Sequence, residues 1–337
     1  MRSIVCEQPN KFNLVHIENP LQKQGEAIVS IRRVGICGTD LHAYKGNQPF
    51  FSYPRVLGHE LAGVIEWVGG NPDGLKKGDQ VTVIPYMACG ECIACRKGKT
   101  NCCSQMKVLG VHIDGGMSEK ISIPYEYLIK TEGLSLDESV VVEPLSIGAH
   151  AVKRASILKG EFVLVIGAGP IGLGIMTFAQ QEGAKVIAMD INSKRLEFCR
   201  QWANVNYTVN ASGTPMEAIT TITGGDLPTI VFDATGNRKS MEEAFRYPAN
   251  GGKLVFAGLV RSDIAFFNPD FHAKELTLMG SRNATREDFV HVLNSIKSGS
   301  IDVNAYITHR SSFDQMIGQY EEWLKPETGV IKAVVEL

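Results

Sequence analysis

The sequence predicts an α/β protein of two domains, a doubly wound parallel sheet set within a mostly β domain that supplies both flanks. Three observations carry this. The texture changes near Ser146 from short β-rich runs to alternating strands and helices; a glycine-rich turn joins the first strand of that alternation to a helix; and the closing strand VIKAVVEL matches the first stretch better than the second. The expected boundaries are residues 1–145 with 283–337 for the mostly β domain and 146–282 for the doubly wound one. A chain of 337 residues with 44% hydrophobic content can bury a large core, and its length favours two domains.

In the first domain, runs such as EAIVSIRRVGI and LAGVIEWVGG are separated by Gly, Pro, Asn and Asp, and no long helix is needed. In the second, FVLVIGAG leads into a helix from Pro170, then strand KVIAMD, helix SKRLEFCRQWA and strand VNYTV. Thr214-Pro215-Met216-Glu217 reads as a capping box opening another helix, followed by strand TIVFD, a helix near Arg238 to Tyr247, and strand KLVFAG. After LTLMGS, a helical REDFVHVLNSIKSG returns the chain to the closing strand.

A net charge of −2, without a run of five like charges, argues against a nucleic-acid surface or an acidic tail and favours a small-molecule partner. The start MRSIVCEQPN has no cationic segment followed by an apolar stretch, and no apolar span of eighteen residues occurs. The expectation is a cytosolic protein without a membrane partner. Of eight cysteines, four fall between Cys89 and Cys103, which in a reducing compartment reads as metal binding rather than a disulfide framework.

Strand FVLVI runs into Gly167-Ala168-Gly169-Pro170-Ile171-Gly172 and a helix, the context that gives G-x-G-x-x-G its meaning. Gly167 permits the turn, Gly169 lets backbone approach a pyrophosphate, and Gly172 allows close helix–strand packing, while the helix N-terminus favours phosphate charge. Pro170 suits the first helical turn, where its missing N–H has no partner to lose. Asp190 ends the next strand eighteen residues after Gly172, placed to accept both ribose hydroxyls and to repel a 2′-phosphate. The cofactor read from these residues is NAD. Nearby Arg195 keeps NADP as the alternative.

Cys89, Cys92 and Cys95 stand three apart and Cys103 follows eight residues later, so one loop can fold four thiolates around one zinc ion. Cys102 competes for the fourth place. With every ligand from protein there is no open position, so this zinc is expected to be structural. An iron–sulfur run would have its last cysteine nearer and usually followed by proline, whereas Ser104 follows Cys103.

A second cluster is spread along the chain: GICGTDLH with Cys37, Thr39, Asp40 and His42, then Gly58-His59-Glu60, then Val142-Glu143-Pro144-Leu145. Taken singly, each has a structural reading, Cys37 as a small hydrophobe, Thr39 as a turn residue, His42 as a surface histidine and Glu60 as a solvated carboxylate. Glu143 is harder to read that way, because apolar flanks on both sides leave its carboxylate needing a partner. With the four-cysteine loop and GAGPIG, these segments resemble the zinc-containing medium-chain alcohol dehydrogenase superfamily, in a motif order covering nearly the whole chain. GHE and EPLS resemble its polyol and sugar-acid branch, which includes sorbitol and galactonate dehydrogenases, more than the liver-type ethanol enzymes.

The resemblance implies a GroES-like fold for the zinc-binding catalytic domain and a Rossmann fold for the other. It implies that Cys37 and His59 ligate a catalytic zinc with Glu60 third, and that Glu143 stands where ethanol-type enzymes have a cysteine, at the metal directly or through water. One thiolate, one imidazole and one or two carboxylates can bind zinc and leave a position open, which independently suits catalysis. The implied reaction is acidification of a secondary alcohol by zinc and hydride transfer to NAD. By analogy Thr39 takes the proton and passes it towards His42, and Asp40 orients a ligating histidine. Two zinc ions per chain and a homo-tetramer or homo-dimer are implied. Arg282, in the GSRN turn, is a candidate grip for a sugar carboxylate.

Three other readings compete. A threonine or other small-alcohol dehydrogenase shares the motifs, and the sequence does not fix the substrate. A zinc-free quinone or enoyl reductase needs none of Cys37, His59 and Glu60. A non-catalytic NAD-binding regulator has no use for Thr39 and His42.

Overall fold

The computed structural model describes residues 1–48, 51–70 and 74–337. They form two compact units, Met1–Glu143 with Thr285–Leu337, and Pro144–Ala284.

The first unit is built on a seven-stranded sheet whose central strand, Glu26–Ile36, lies between Glu60–Val68 and Lys332–Glu336. Both neighbours run antiparallel to it, with Gly35 opposite Glu60 and Ile36 opposite Ala333. Val29, Ile31 and Val34 of that strand are buried with Leu61, Ile65, Val81 and Val335, and this apolar packing drives the sheet together. Gly35 answers a steric need, because a Cβ there would lie 2.0 Å from Glu60 Oε2. At one edge of this unit Asp137 accepts from Arg33 Nε at 2.8 Å and Arg310 Nη2 at 2.7 Å, while Arg310 Nη1 reaches Glu336 at 2.9 Å.

The second unit is a six-stranded parallel sheet in the order Tyr207–Asn210, Lys185–Asp190, Phe162–Ile166, Ile230–Asp233, Lys253–Phe256, Thr277–Gly280. Chain order reverses between Phe162–Ile166 and Ile230–Asp233, the switch point at which such sheets bind ligands. Val163, Leu164, Val165 and Ile166 are all buried, as a strand covered on both faces requires.

One local expectation needs correction, and two stretches of structure were not read from the sequence. The helix Pro215–Thr223 forms with proline in its first turn, but the Thr214 side chain makes no capping hydrogen bond, and its ψ of 70° is outside the usual N-cap conformation. Reciprocal boxes occur instead at Ser135 with Glu138 and at Thr285 with Asp288. The change of texture placed near Ser146 falls inside a helix, Val142–Ala155, which follows directly on the short helix Leu136–Val140. The strand Ile307–Ser312 and helix Met316–Trp323 lie in a stretch left unassigned, because ITHRSS carries too few apolar residues for a clear period.

Candidate metal centre and dinucleotide site

Asp40 organises the second cluster. Fully buried in the first turn of the helix Gly38–Tyr44, it accepts the Cys37 N–H at 2.9 Å and the Gly58 N–H at 3.1 Å, and its Oδ1 lies 3.7 Å from His59 Nδ1. Two loops far apart in sequence are thereby pinned to one carboxylate. Gly58 has a φ of +92°, which a side chain would oppose, and this turn delivers His59 and Glu60 to Cys37. The ligand atoms of Cys37, His59 and Glu60 all lie within 4.8 Å of one another.

The charges around them are unbalanced. Lys332, 1% exposed, donates to both Glu60 oxygens at 2.6 and 2.7 Å and to the Ile36 carbonyl at 3.2 Å. Glu143, in the first turn of the helix Val142–Ala155, is buried, and its Oε1 accepts a hydrogen bond from the Tyr86 hydroxyl. Burial pushes the Glu143 carboxyl up to about 7, opposed by His59 and reinforced by Glu60. Burial alone would depress His59, but Asp40, Cys37 and Glu143 outweigh it and hold the imidazole well above its ordinary value. Three carboxylates and a thiol thus share a buried volume with Lys332 as their ammonium partner, and such a set is costly unless a cation joins it. His59 Nδ1 is buried without a hydrogen-bond partner, its Asp40 neighbour standing 3.7 Å away, an orphaned polar atom of the kind a bound metal or a tightened contact would satisfy. Zinc fits this donor set, with Cys37, His59 and Glu60 as the converging ligands.

Thr39 and His42 lie three residues apart on the helix Gly38–Tyr44 and therefore share a side of it; Thr39 is half-buried and His42 exposed.

The Sγ atoms of Cys89, Cys92, Cys95 and Cys103 also lie within 4.8 Å of one another. The backbone N–H groups of Cys89 and Gln105 donate to Cys103 Sγ at 3.2 and 3.3 Å, and that of Cys92 to Cys89 Sγ at 3.4 Å. Such donors favour thiolates, the form that binds zinc. Backbone hydrogen bonds at Cys95 and Ser104 draw the Cys92 thiol down to about 5. Cys102 is exposed and outside this group, which leaves Cys103 as the fourth member.

In the second unit the three glycines differ in what they exclude. Gly167 has a φ of +98°, and a Cβ on Gly172 would lie 1.8 Å from the Gly167 carbonyl oxygen, so neither tolerates a side chain. A Cβ on Gly169 would meet only Arg195 Nη1, at 3.7 Å, which leaves room for a pyrophosphate at the N-terminus of the helix Pro170–Gln181, with Pro170, Ile171 and Gly172 in its first turn. Asp190 has partners within the protein: its Oδ2 accepts the Ala168 N–H at 2.7 Å and its Oδ1 the Asn192 N–H at 2.8 Å. Arg282 is exposed just past Thr277–Gly280 and belongs to this unit, whereas the metal-ligand cluster belongs to the other.

Sequence reasoning missed Lys332 and Tyr86. Lys332 carried the same signal as Glu143, a charge inside the apolar run VIKAVV, while Tyr86 left no signal apart from its closeness to Cys89.

Residues 23–133 match the family model described as alcohol dehydrogenase GroES-like domain, and residues 170–298 match that of zinc-binding dehydrogenase. The chain is 43% identical to L-galactonate-5-dehydrogenase of Escherichia coli K12, over 99% of this chain and 98% of that protein. It is 33% identical to L-idonate 5-dehydrogenase of Vitis vinifera, over 85% of this chain and 81% of that protein. Among solved structures, the RspB alcohol dehydrogenase of Escherichia coli CFT073 in complex with NADH superposes with a TM-score of 0.93 at 31% identity, covering 100% of this chain and 99% of that one.

Proposed function

From the premise that the chain belongs to the zinc-dependent alcohol dehydrogenases, we propose that it oxidises a secondary hydroxyl of a sugar acid or polyol with NAD. The chain is an oxidoreductase of that family, and the match to a galactonate 5-dehydrogenase along 99% of its length is the observation that carries the substrate class. When bound, zinc supplies the Lewis acidity that makes the hydroxyl acidic, and NAD supplies the hydride acceptor.

The protein's own groups do the rest. Cys37, His59 and Glu60 hold the metal, and Asp40 positions the two loops that carry them by accepting the Cys37 and Gly58 N–H groups. Thr39 takes the hydroxyl proton and His42, exposed on the same side of its helix, releases it to solvent. Gly169 and the helix N-terminus receive the pyrophosphate, while Asp190 and Arg195 face the adenosine ribose. Cys89, Cys92, Cys95 and Cys103 hold a structural zinc.

Arg282 grips the carboxylate of an acidic substrate in this reading, since a planar guanidinium matches a carboxylate fork. The protein works in the cytosol as a homo-dimer or homo-tetramer. Support for association comes from Thr277–Gly280, an edge strand without charged residues on which Leu278 is 41% exposed. No described helix is long and apolar enough to cross a membrane.

A screen of sugar acids, polyols and simple primary alcohols with NAD tests the proposal. Turnover of sugar acids or polyols with negligible ethanol oxidation is expected, and Arg282→Ala should lose more on acidic than on neutral substrates. Efficient ethanol oxidation defeats the substrate class; equal losses on both substrate types remove Arg282 from carboxylate binding.

A further inference from the structure

We propose that Tyr86 is a positioning residue of the active site: its hydroxyl holds Glu143 beside, but outside, the ligand group Cys37, His59 and Glu60, and so keeps the substrate's place at the metal open. This rests on the zinc dehydrogenase reading above.

Glu143 is a carboxylate with every reason to bind the metal. It is 3% exposed and close enough to His59 and Glu60 to act on their charges, yet its oxygens do not join the three converging ligand atoms. A fourth protein ligand would close the site, because a catalytic zinc needs one coordination position for substrate while a structural zinc has none. The restraint on Glu143 is the hydrogen bond that its Oε1 accepts from Tyr86. One oxygen is committed to the phenol.

The phenol is itself firmly placed. Tyr86 is 6% exposed, and its ring meets Phe289 edge-on at 6.4 Å and 76°. It lies on the short strand Tyr86–Met87, paired with Lys107–Val108, three residues before Cys89. Between them the Ala88 N–H donates to Tyr127 Oη at 3.0 Å. The root of the four-cysteine loop therefore sets where the Tyr86 hydroxyl stands, which gives that loop a part in arranging the reaction centre.

Tyr86→Phe tests this, since it removes the hydroxyl and keeps the ring against Phe289. It is compared with the parent by turnover, by zinc retention against a chelator, by the visible spectrum after cobalt replaces the catalytic zinc, and by Tm. With Glu143 released onto the metal, kcat should fall roughly ten- to hundredfold, the scale of a lost hydrogen bond to a charged group. Zinc should be held at least as tightly, Tm should stay put, and the cobalt bands should change as a ligand is added. In a Glu143→Gln background the same change should alter kcat by less than about twofold, because no carboxylate is left to release.

The proposal is overturned if Tyr86→Phe leaves kcat and the cobalt spectrum as they were. A joint loss of zinc, Tm and activity also overturns it, since that marks a packing role alone. Should the parent oxidise no sugar acid or polyol, the substrate reading fails, while the chelator and cobalt measurements still decide the role of Tyr86.

Discussion

Cys37 and Cys92 are half-buried thiols in two separate clusters, and loss of the thiol has different consequences at each. Metal analysis should return about two zinc ions per chain, one from each cluster. Cys37→Ala should remove one of them together with nearly all activity, whereas Cys92→Ser should cost stability first, because a closed tetrahedral site contributes folding free energy. Two ions retained in the Cys37 variant would contradict the ligand assignment. At this scale the sequence was most legible where ligands come in a fixed spacing, as in the four-cysteine loop, or in a tight string such as His59-Glu60. It was least legible where a partner arrives from a distant strand. The contact between Lys332 and Glu60 spans 272 residues and depends on Gly35 lacking a side chain beneath it, a relation that no local pattern records.

Among the elements, the turn between Phe162–Ile166 and Pro170–Gln181 is readable at Gly167 and Gly172 because steric exclusion fixes the residue type there. What the pattern could not convey is that Asp190 also braces this turn by accepting the Ala168 N–H. Asp190→Ala is therefore expected to act twice, removing the acceptor for ribose hydroxyls and freeing the turn. Its Kd for NAD should rise, its preference over NADP should narrow, and the zinc content should be unchanged. Equal use of NAD and NADP by the parent would remove Asp190 from ribose recognition. The helix Val142–Ala155 shows where pattern reading fails, since an apolar run followed by proline suits a strand end as well as a first helical turn. Packing decides it: a Cβ on Gly148 of this helix would lie 2.7 Å from the Gly174 backbone, so two helices meet where neither has a side chain.

For the molecule as a whole, acid should be the more damaging extreme of pH at one identifiable joint. Burial raises the Asp137 carboxyl, but hydrogen bonds from Arg310 and Arg33 outweigh it and hold the group below its ordinary value. A carboxyl depressed in the folded state stabilises above its unfolded pKa, about 4, and that contribution disappears as pH falls through the lower folded value. Asp137→Asn should lower stability near neutrality by on the order of 1 kcal/mol, for a partly exposed network. Its Tm should also vary less with pH below about 4 than the parent's, and parallel acid profiles would contradict the link. The doubly wound half was legible because each strand and helix there is local in sequence, while the strand order of the other half depends on pairings between residues hundreds of positions apart.

That last arrangement has a consequence in time. Lys332 is translated only after all of Pro144–Ala284, so on the ribosome the parallel sheet can condense while Glu60 still lacks its counter-ion and Glu26–Ile36 lacks one neighbouring strand. A nascent chain cut short before Lys332 would carry Glu60 buried beside Cys37 and His59 without the ammonium that pairs with it, so this cluster is completed only when the last strand is in place.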